Sequence, residues 1–125
     1  MAGNNRTGPL GEAYAAEFLE KDGYRILERN YHSRFGEVDI IAEKGRYLVF
    51  VEVKTRESRS MVPPEAAVTP GKQKRIAKTA LLYLQKHPTH LQPRFDVIGI
   101  IMEKTGRSVQ SCRHIENAFG FSSYF

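Results

Sequence analysis

At 125 residues and 41% hydrophobic, the chain is long enough for one compact domain with one core and too short for two of ordinary size. Nineteen Lys and Arg against fourteen Asp and Glu leave a formal charge of +5, which favours a polyanionic partner, either nucleic acid or an anionic membrane surface. The first residues lack the apolar core of a signal peptide and no run approaches the roughly 18 apolar residues of a membrane span, so a soluble, cytosolic protein is expected. Cys112 is the only cysteine, which excludes an internal disulfide and leaves oxygen ligands for any metal.

A first helix is predicted from Pro9 to about Asp22, with proline at the first helical position and Gly23 just past the end. Gly11, Ala15, Phe18 and Leu19 share one arc of that helix, and Glu17, Glu20 and Lys21 share the other. Glu12 falls between Leu19 and Ala16, along the edge of the buried stripe. Three strands follow, Tyr24–Tyr31, Glu37–Glu43 and Tyr47–Thr55, with Lys44-Gly45 as the tight turn between the last two. Residues 56–71 carry Pro63, Pro64 and Pro70 among Ser, Arg and Glu and read as an exposed loop, the segment most given to motion. Thr69 caps and Pro70 opens a second helix that runs to about Lys86, with Ile76, Ala77, Ala80, Leu81 and Leu84 on its apolar arc and Gln73 in the middle of that arc. Phe95–Met102 is another strand, followed by a turn at Lys104–Arg107 and a short strand ending near Ile115. The order α-β-β-β-α-β-β contains no repeat and no dividing linker, so one domain over residues 1–125 is expected.

In the strand Tyr47–Thr55, Phe50, Glu52 and Lys54 alternate with Val49, Val51 and Val53, which sets the two charges on one face. A two-residue turn at Lys44-Gly45 pairs residue 39 with residue 50 and brings Asp39 onto Glu52's face. Diagonal neighbours there lie about 7 to 8 Å apart at the backbone, close enough for two carboxylates to converge on one cation. A Glu-x-Lys on a strand is ordinarily an exposed ion pair. Here the surrounding strands are continuous apolar runs that imply burial on both sides, and buried charges need partners. The natural partner is Mg²⁺ or Mn²⁺ held by Asp39, Glu52 and Glu12, with Lys54 near the metal-bound water and the reacting phosphate. Gln73 contacts either that water or the backbone. Lys72, Lys74, Arg75 and Lys78, with Arg56 and Arg59, form a candidate phosphate-tracking surface.

These residues resemble the PD-(D/E)XK nuclease superfamily and, more closely, the YraN family of small predicted endonucleases. The resemblance rests on Gly11-Glu12 with Ala15 and Ala16, on Arg34-Phe35-Gly36-Glu37-Val38-Asp39-Ile40-Ile41-Ala42, and on Phe50-Val51-Glu52-Val53-Lys54-Thr55-Arg56. It continues through Thr69-Pro70-Gly71-Lys72-Gln73-Lys74-Arg75 and Arg94-Phe95-Asp96-Val97, and so covers nearly the whole chain. Val38 stands where the superfamily has the proline that names it. The resemblance implies a restriction-endonuclease-like αβββαβ core, a central mixed sheet flanked by helices, with Asp39, Glu52 and Lys54 as its motif and Glu12 as an accessory acid. It implies a metal-dependent endonuclease acting on DNA, and by analogy with resolvases on branched or junction DNA. The rival expectations are a catalytically inactive nucleic-acid-binding module with the same fold, or an adaptor that binds a protein through its apolar C-terminal tail. Ala118-Phe119-Gly120-Phe121 and Tyr124-Phe125 are expected to pack on the sheet, or on the second subunit of a homodimer, and not to stack bases. Asp96 reads as a structural anchor for Arg94 or a loop, Glu37 as either a further ligand on strand parity with Asp39 or, being nearer the strand end, the favoured exposed residue, and His87, His90 and His114 as surface residues.

Overall fold

Continuous apolar runs in three central strands require cover on both faces of a sheet, and they receive it. A computed structural model describes residues 2–58 and 62–121; Arg59, Tyr124 and Phe125 lie outside the described residues. In chain order the elements are α1 (Ala2–Lys21), β1 (Arg25–Ser33), β2 (Gly36–Lys44), β3 (Tyr47–Glu57), a 3-10 turn (Pro64–Ala67), α2 (Pro70–Lys86), β4 (Gln92–Met102) and β5 (Val109–Phe119). The five strands lie in the order β1-β2-β3-β4-β5, and β3 pairs with β4 in parallel while the other neighbours are antiparallel. A parallel pair needs a long crossover, and α2 supplies it. The result is a mixed α/β architecture with a helix on each side of the sheet.

Each face has its own core. Ala15, Ala16 and Leu19 of α1 bury Ile40, Ala42, Val49, Val51, Ile98 and Ile100, while Ile76, Ala77, Ala80 and Tyr83 of α2 bury Val38, Ile41, Phe50, Phe95 and Val97. Helix α1 comes unusually close to β3 at Gly11, where a side chain would run into that of Thr55. That approach holds the next residue, Glu12, against the sheet. The C-terminus of α1 closes as a Schellman motif: Tyr24 N–H donates to Leu19 C=O at 2.9 Å, Gly23 N–H donates to Glu20 C=O at 3.0 Å, and Gly23 takes a φ of 91°. At the start of α2, Thr69 Oγ1 accepts from Lys72 N–H at 3.3 Å, the expected cap.

Several expectations are corrected. Helix α1 begins at Ala2, so Pro9 lies inside it; the proline removes one backbone donor without ending the helix. The β2–β3 turn is Gly45-Arg46, since Lys44 pairs with Tyr47 and Ile41 with Phe50. Gly45 takes a φ of 59° at the first central position, where a two-residue hairpin favours a residue that tolerates positive φ and Lys44 would be strained. The register moves by two residues, so Asp39 is not opposite Phe50, and the regular ladder ends at Ile40 and Val51, one residue short of Asp39. Residues 56–71 are not all loop. Arg56 and Glu57 extend β3 along β4, and Pro64 is buried in the 3-10 turn, where a side chain on Gly99 would meet Pro64 and Glu65. Strand β5 runs past Ile115 to Phe119, because Phe119 stacks on Phe95 at 4.9 Å between ring centroids and Phe121 meets the same ring edge-on at 4.7 Å. Among the described residues no helix is long and apolar enough to cross a membrane.

His114 is also not a surface residue. Its side chain is 8% exposed, and its Nε2 lies 2.7 Å from Oδ2 of the fully buried Asp96. Arg94 donates twice to the same carboxylate, at 2.9 and 2.8 Å, and also to Tyr24 Oη at 2.7 Å; Asn117 N–H adds a further bond at 3.0 Å. Burial acts to raise the pKa of Asp96, but His114, Arg94 and the Asn117 N–H together hold it below the usual value. Asp96→Asn should therefore strand the Arg94 guanidinium and cost about 3 to 5 kcal/mol, read as a lower urea midpoint at constant slope. A loss below about 1 kcal/mol would show that the network is not what ties β4, β5 and the α1–β1 junction at Tyr24 together.

Candidate active site

The alternation of β2 breaks at Asp39. Val38 packs with Ile41 on the α2 side, whereas Ile40 and Ala42 face α1. Across from Asp39 in β1, Asn30 takes a left-handed φ of 53° between the paired residues Arg29 and Tyr31. The β2–β3 ladder runs from the turn to Ile40 and Val51, and beyond it Val53 N–H donates to the side chain of Asp39, Oδ2, at 2.7 Å. A carboxylate thus replaces a backbone acceptor at the point where the two strands part.

Glu52 follows Val51 in β3 and converges on Asp39. Both are nearly buried, at 6% and 9% exposure for Asp39 and Glu52. Burial, the charge of Glu52 and a hydrogen bond to its carboxylate raise the pKa of Asp39 to about 8, against the lowering effect of the Val53 N–H, and the Glu12 charge adds a smaller push. The shift favours the protonated form of Asp39 beside Glu52. Lys54 Nζ lies 3.0 Å from Glu52 Oε2. Burial opposes its charge, but Glu52 outweighs that and holds the lysine above its ordinary pKa. Glu12, half-buried on α1, is raised by burial and by the charges of Glu37 and Glu52, while Arg29 and a hydrogen bond to Asn30 pull the other way. Glu12, Asp39, Glu52 and Lys54 are brought together from α1, β2 and β3.

Lys72 belongs to this centre more closely than a phosphate-tracking role suggests. Its ammonium is a close neighbour of that of Lys54, and this like-charge contact lowers its pKa, with burial adding to the effect. A cavity of about 280 Å³ beside the acids is lined by Gly36, Glu37, Glu52, Lys72, Arg75 and Ile76. Gln73 takes the backbone alternative, its Nε2 donating to Val68 C=O at 3.0 Å. Lys74 is exposed and, on the helical wheel, lies off the side of α2 that carries Lys72 and Arg75. Arg56 is half-buried on β3, within range of the Lys72 charge, and Lys78 reaches the ring of Phe35. Glu37 is exposed, paired with His32 at 3.3 Å, yet it also lines the cavity. Asn30 and Thr79 have roles that periodicity could not announce; only the tolerance of Asn for left-handed backbone marked Asn30 as unusual within a strand.

Among the described residues no three of His, Cys, Asp and Glu are grouped as a finished metal cage. The donor set nevertheless suits a hard divalent cation, because two buried carboxylates that share a proton can exchange it for such an ion, and every donor is oxygen.

The geometry defines a class: a mixed α/β protein with a buried carboxylate pair and a lysine beside a cavity of mixed charge. The family model described as "Uncharacterised protein family UPF0102" matches residues 11–100, and the chain belongs to that family. It is 53% identical over 119 residues to a UPF0102 protein of Pelobacter propionicus, covering 93% of this chain and 84% of the relative. It is 48% identical over 122 residues to a UPF0102 protein of Syntrophus aciditrophicus, covering 96% of each. The UPF0102 protein STH1475 of Symbiobacterium thermophilum is 49% identical over 117 residues, covering 93% of this chain and 98% of the relative. The matched segment contains Glu12, Asp39, Glu52, Lys54 and Lys72.

The state of Asp39 sets a pH dependence. An unfolded chain releases this proton near pH 4, whereas the folded protein keeps it to about pH 8, so the folded state binds more protons between those values and loses stability as pH rises through them. In metal-free protein, urea melts from pH 4 to 8 should show this decline, and Asp39→Asn should remove most of it and be the more stable form at pH 8. An equal decline in wild type and variant would show that Asp39 is ionised in the folded protein.

Proposed function

We propose that the chain is a metal-dependent endonuclease that hydrolyses phosphodiester bonds of DNA in the cytosol, with a restriction-endonuclease-like αβββαβ core. The single observation that supports this most is the convergence of the buried Asp39 and Glu52, with Lys54 3.0 Å from Glu52, beside a cavity that Glu52, Lys72 and Arg75 line. A buried pair of acids is costly to keep for stability alone, and a bound cation relieves it. Asp39 and Glu52 would hold Mg²⁺ or Mn²⁺, with Glu12 behind them adjusting the charge of the pair. When bound, the cation supplies a water of lowered pKa and neutralises charge on the phosphate.

The chain's own groups do the rest. Lys54 presents a compact ammonium, held charged by Glu52, to the attacking water and to the charge that grows on the phosphoryl oxygens. Lys72 stands next to it and lies within reach of the same phosphate. The basic residues of α2 and β3 draw in the polyanion by releasing its condensed counterions. Branched or junction DNA is the leading substrate by analogy with resolvases, a step that rests on resemblance.

The test is cleavage of linear, flapped and four-way DNAs with and without Mg²⁺ or Mn²⁺, together with single-turnover rates for Lys54→Ala. Wild type should cut only with metal. The variant should bind DNA almost as well while losing about 100- to 1,000-fold in rate. Lys54→Arg should not restore it, because a planar guanidinium replaces a point charge. No cutting of any DNA with either metal would leave a binding module, and undiminished cutting by Lys54→Ala would remove the lysine from the chemistry.

A further inference from the structure

Next to the acidic centre, the tip of the β1–β2 hairpin is fastened to α2 along its length. Ser33 Oγ and Thr79 Oγ1 are 2.7 Å apart, with Thr79 fully buried, and Phe35 N–H donates to Ser33 Oγ at 3.0 Å. Gly36 lies against the side chain of Arg75, where even a methyl group would come within 3.4 Å of Arg75 Cβ. Phe35 carries two cations on its ring, the Arg34 guanidinium at 4.9 Å and the Lys78 ammonium at 5.1 Å from the centroid. Arg34, Arg75 and Lys78 have no carboxylate partner among the described residues, and the acid on the hairpin, Glu37, is turned to His32. Like charges gathered on one half-buried ring repel, and nothing in the fold requires Arg34 there.

We infer that the hairpin tip and α2 form one rigid cationic ridge, Lys72, Arg75, Lys78 and Arg34, that binds the phosphates of a nucleic-acid strand leading away from the acidic centre, with Phe35 holding its two outer cations in place. The inference rests on the proposed nuclease reading and extends it by fixing where the strand lies. Residues 72 to 78 span about 9 Å of helix, which corresponds to two or three nucleotides of one strand at about 3.4 Å each. The ridge meets the cavity at Lys72 and Arg75, so its inner end is the scissile phosphate and its outer end is the Phe35 tip. Charge complementarity selects a phosphate chain, and the exposed Glu37 beside the ridge disfavours a flat anionic membrane, which would press against that carboxylate as well. Phe35 serves here as a seat for cations, each worth a modest cation–π contribution, and not as a base-stacking platform.

The measurement is equilibrium binding of a fluorescent 30-nucleotide single strand and its duplex across a salt series in EDTA, which keeps binding apart from cleavage. Arg34→Ala should weaken both complexes about 3- to 10-fold and lower the salt slope by about 0.7 to 0.9, the value for one phosphate contact. Phe35→Leu keeps an apolar side chain against Ser33 and α2 but removes the π face. It should weaken binding about 2- to 5-fold, and Phe35→Tyr should restore it. Melting curves on the same preparations show that the hairpin is folded. If wild type binds DNA and Arg34→Ala and Phe35→Leu keep its affinity and salt slope, the ridge is wrong while the nuclease reading stands. If Phe35→Leu weakens the single strand alone, Phe35 stacks bases and the proposed role for it is overturned. If wild type binds neither DNA at any salt, the nuclease reading fails first and the ridge with it.

Discussion

Two carboxylates buried within hydrogen-bonding distance cannot both stay charged, and much of this molecule is arranged around that repulsion. Asp39 keeps a proton to about pH 8, Lys54 sits on Glu52, and Glu12 is lifted by the same field. The break in the pleat at Asp39 belongs to the same constraint. It frees the Val53 N–H to meet a side chain, and with Asn30 facing it in left-handed backbone it opens the sheet enough for Glu12 to be felt from the α1 layer. A regular ladder would have kept that acid behind a closed wall of backbone.

Asp96 shows what a buried acid looks like when it is purely structural. It is less exposed than Asp39, yet its pKa is driven down, because a guanidinium, an imidazole and a backbone N–H all point at it. The two aspartates lie in neighbouring parts of one sheet and differ in their partners, not in their depth. In one case every oxygen is satisfied by groups of the fold. In the other the fold supplies one N–H and a second acid, an incomplete set that a cation can complete.

The helices and the chain order of the elements were legible in the sequence because they rest on periodicity and capping, and the approach of Asp39 to Glu52 because it rests on a two-residue turn, whose length survives the slip of register. The slip itself turned on whether Lys44 or Gly45 takes the first central position of the turn, a preference of backbone dihedral that composition hardly betrays. His114 was misplaced because burial of a histidine depends on a partner, and Asp96 lies 18 positions earlier in the chain. Lys72 looked like any helix-surface lysine; only the folded crossover brings it to Lys54. Arg56 was read as loop because proline-rich sequence follows it, while the parallel pairing with β4 that keeps it in a strand is a long-range contact. What sequence reading missed is therefore mostly what needed two distant segments to meet.

The β2–β3 hairpin has a further consequence for assembly. Asp39, Glu52 and Lys54 lie within 16 consecutive residues joined by a two-residue turn, so their approach costs little loop-closure entropy and needs no other part of the chain. Lys72 and Glu12 arrive by longer routes, through the α2 crossover and the α1 layer. The approach of the acid pair needs only the hairpin, whereas the rest of its environment depends on contacts of larger sequence separation, the parallel β3–β4 pairing among them. During synthesis the hairpin emerges well ahead of α2, and until the crossover docks its apolar faces and paired acids stay in water, where charge repulsion is weakly felt. Docking of α2 covers Leu48 and Phe50 on β3 and Val38 and Ile41 on β2, beside the acid pair, so the contacts that complete the core are also the ones that take two ordinary carboxylates out of water.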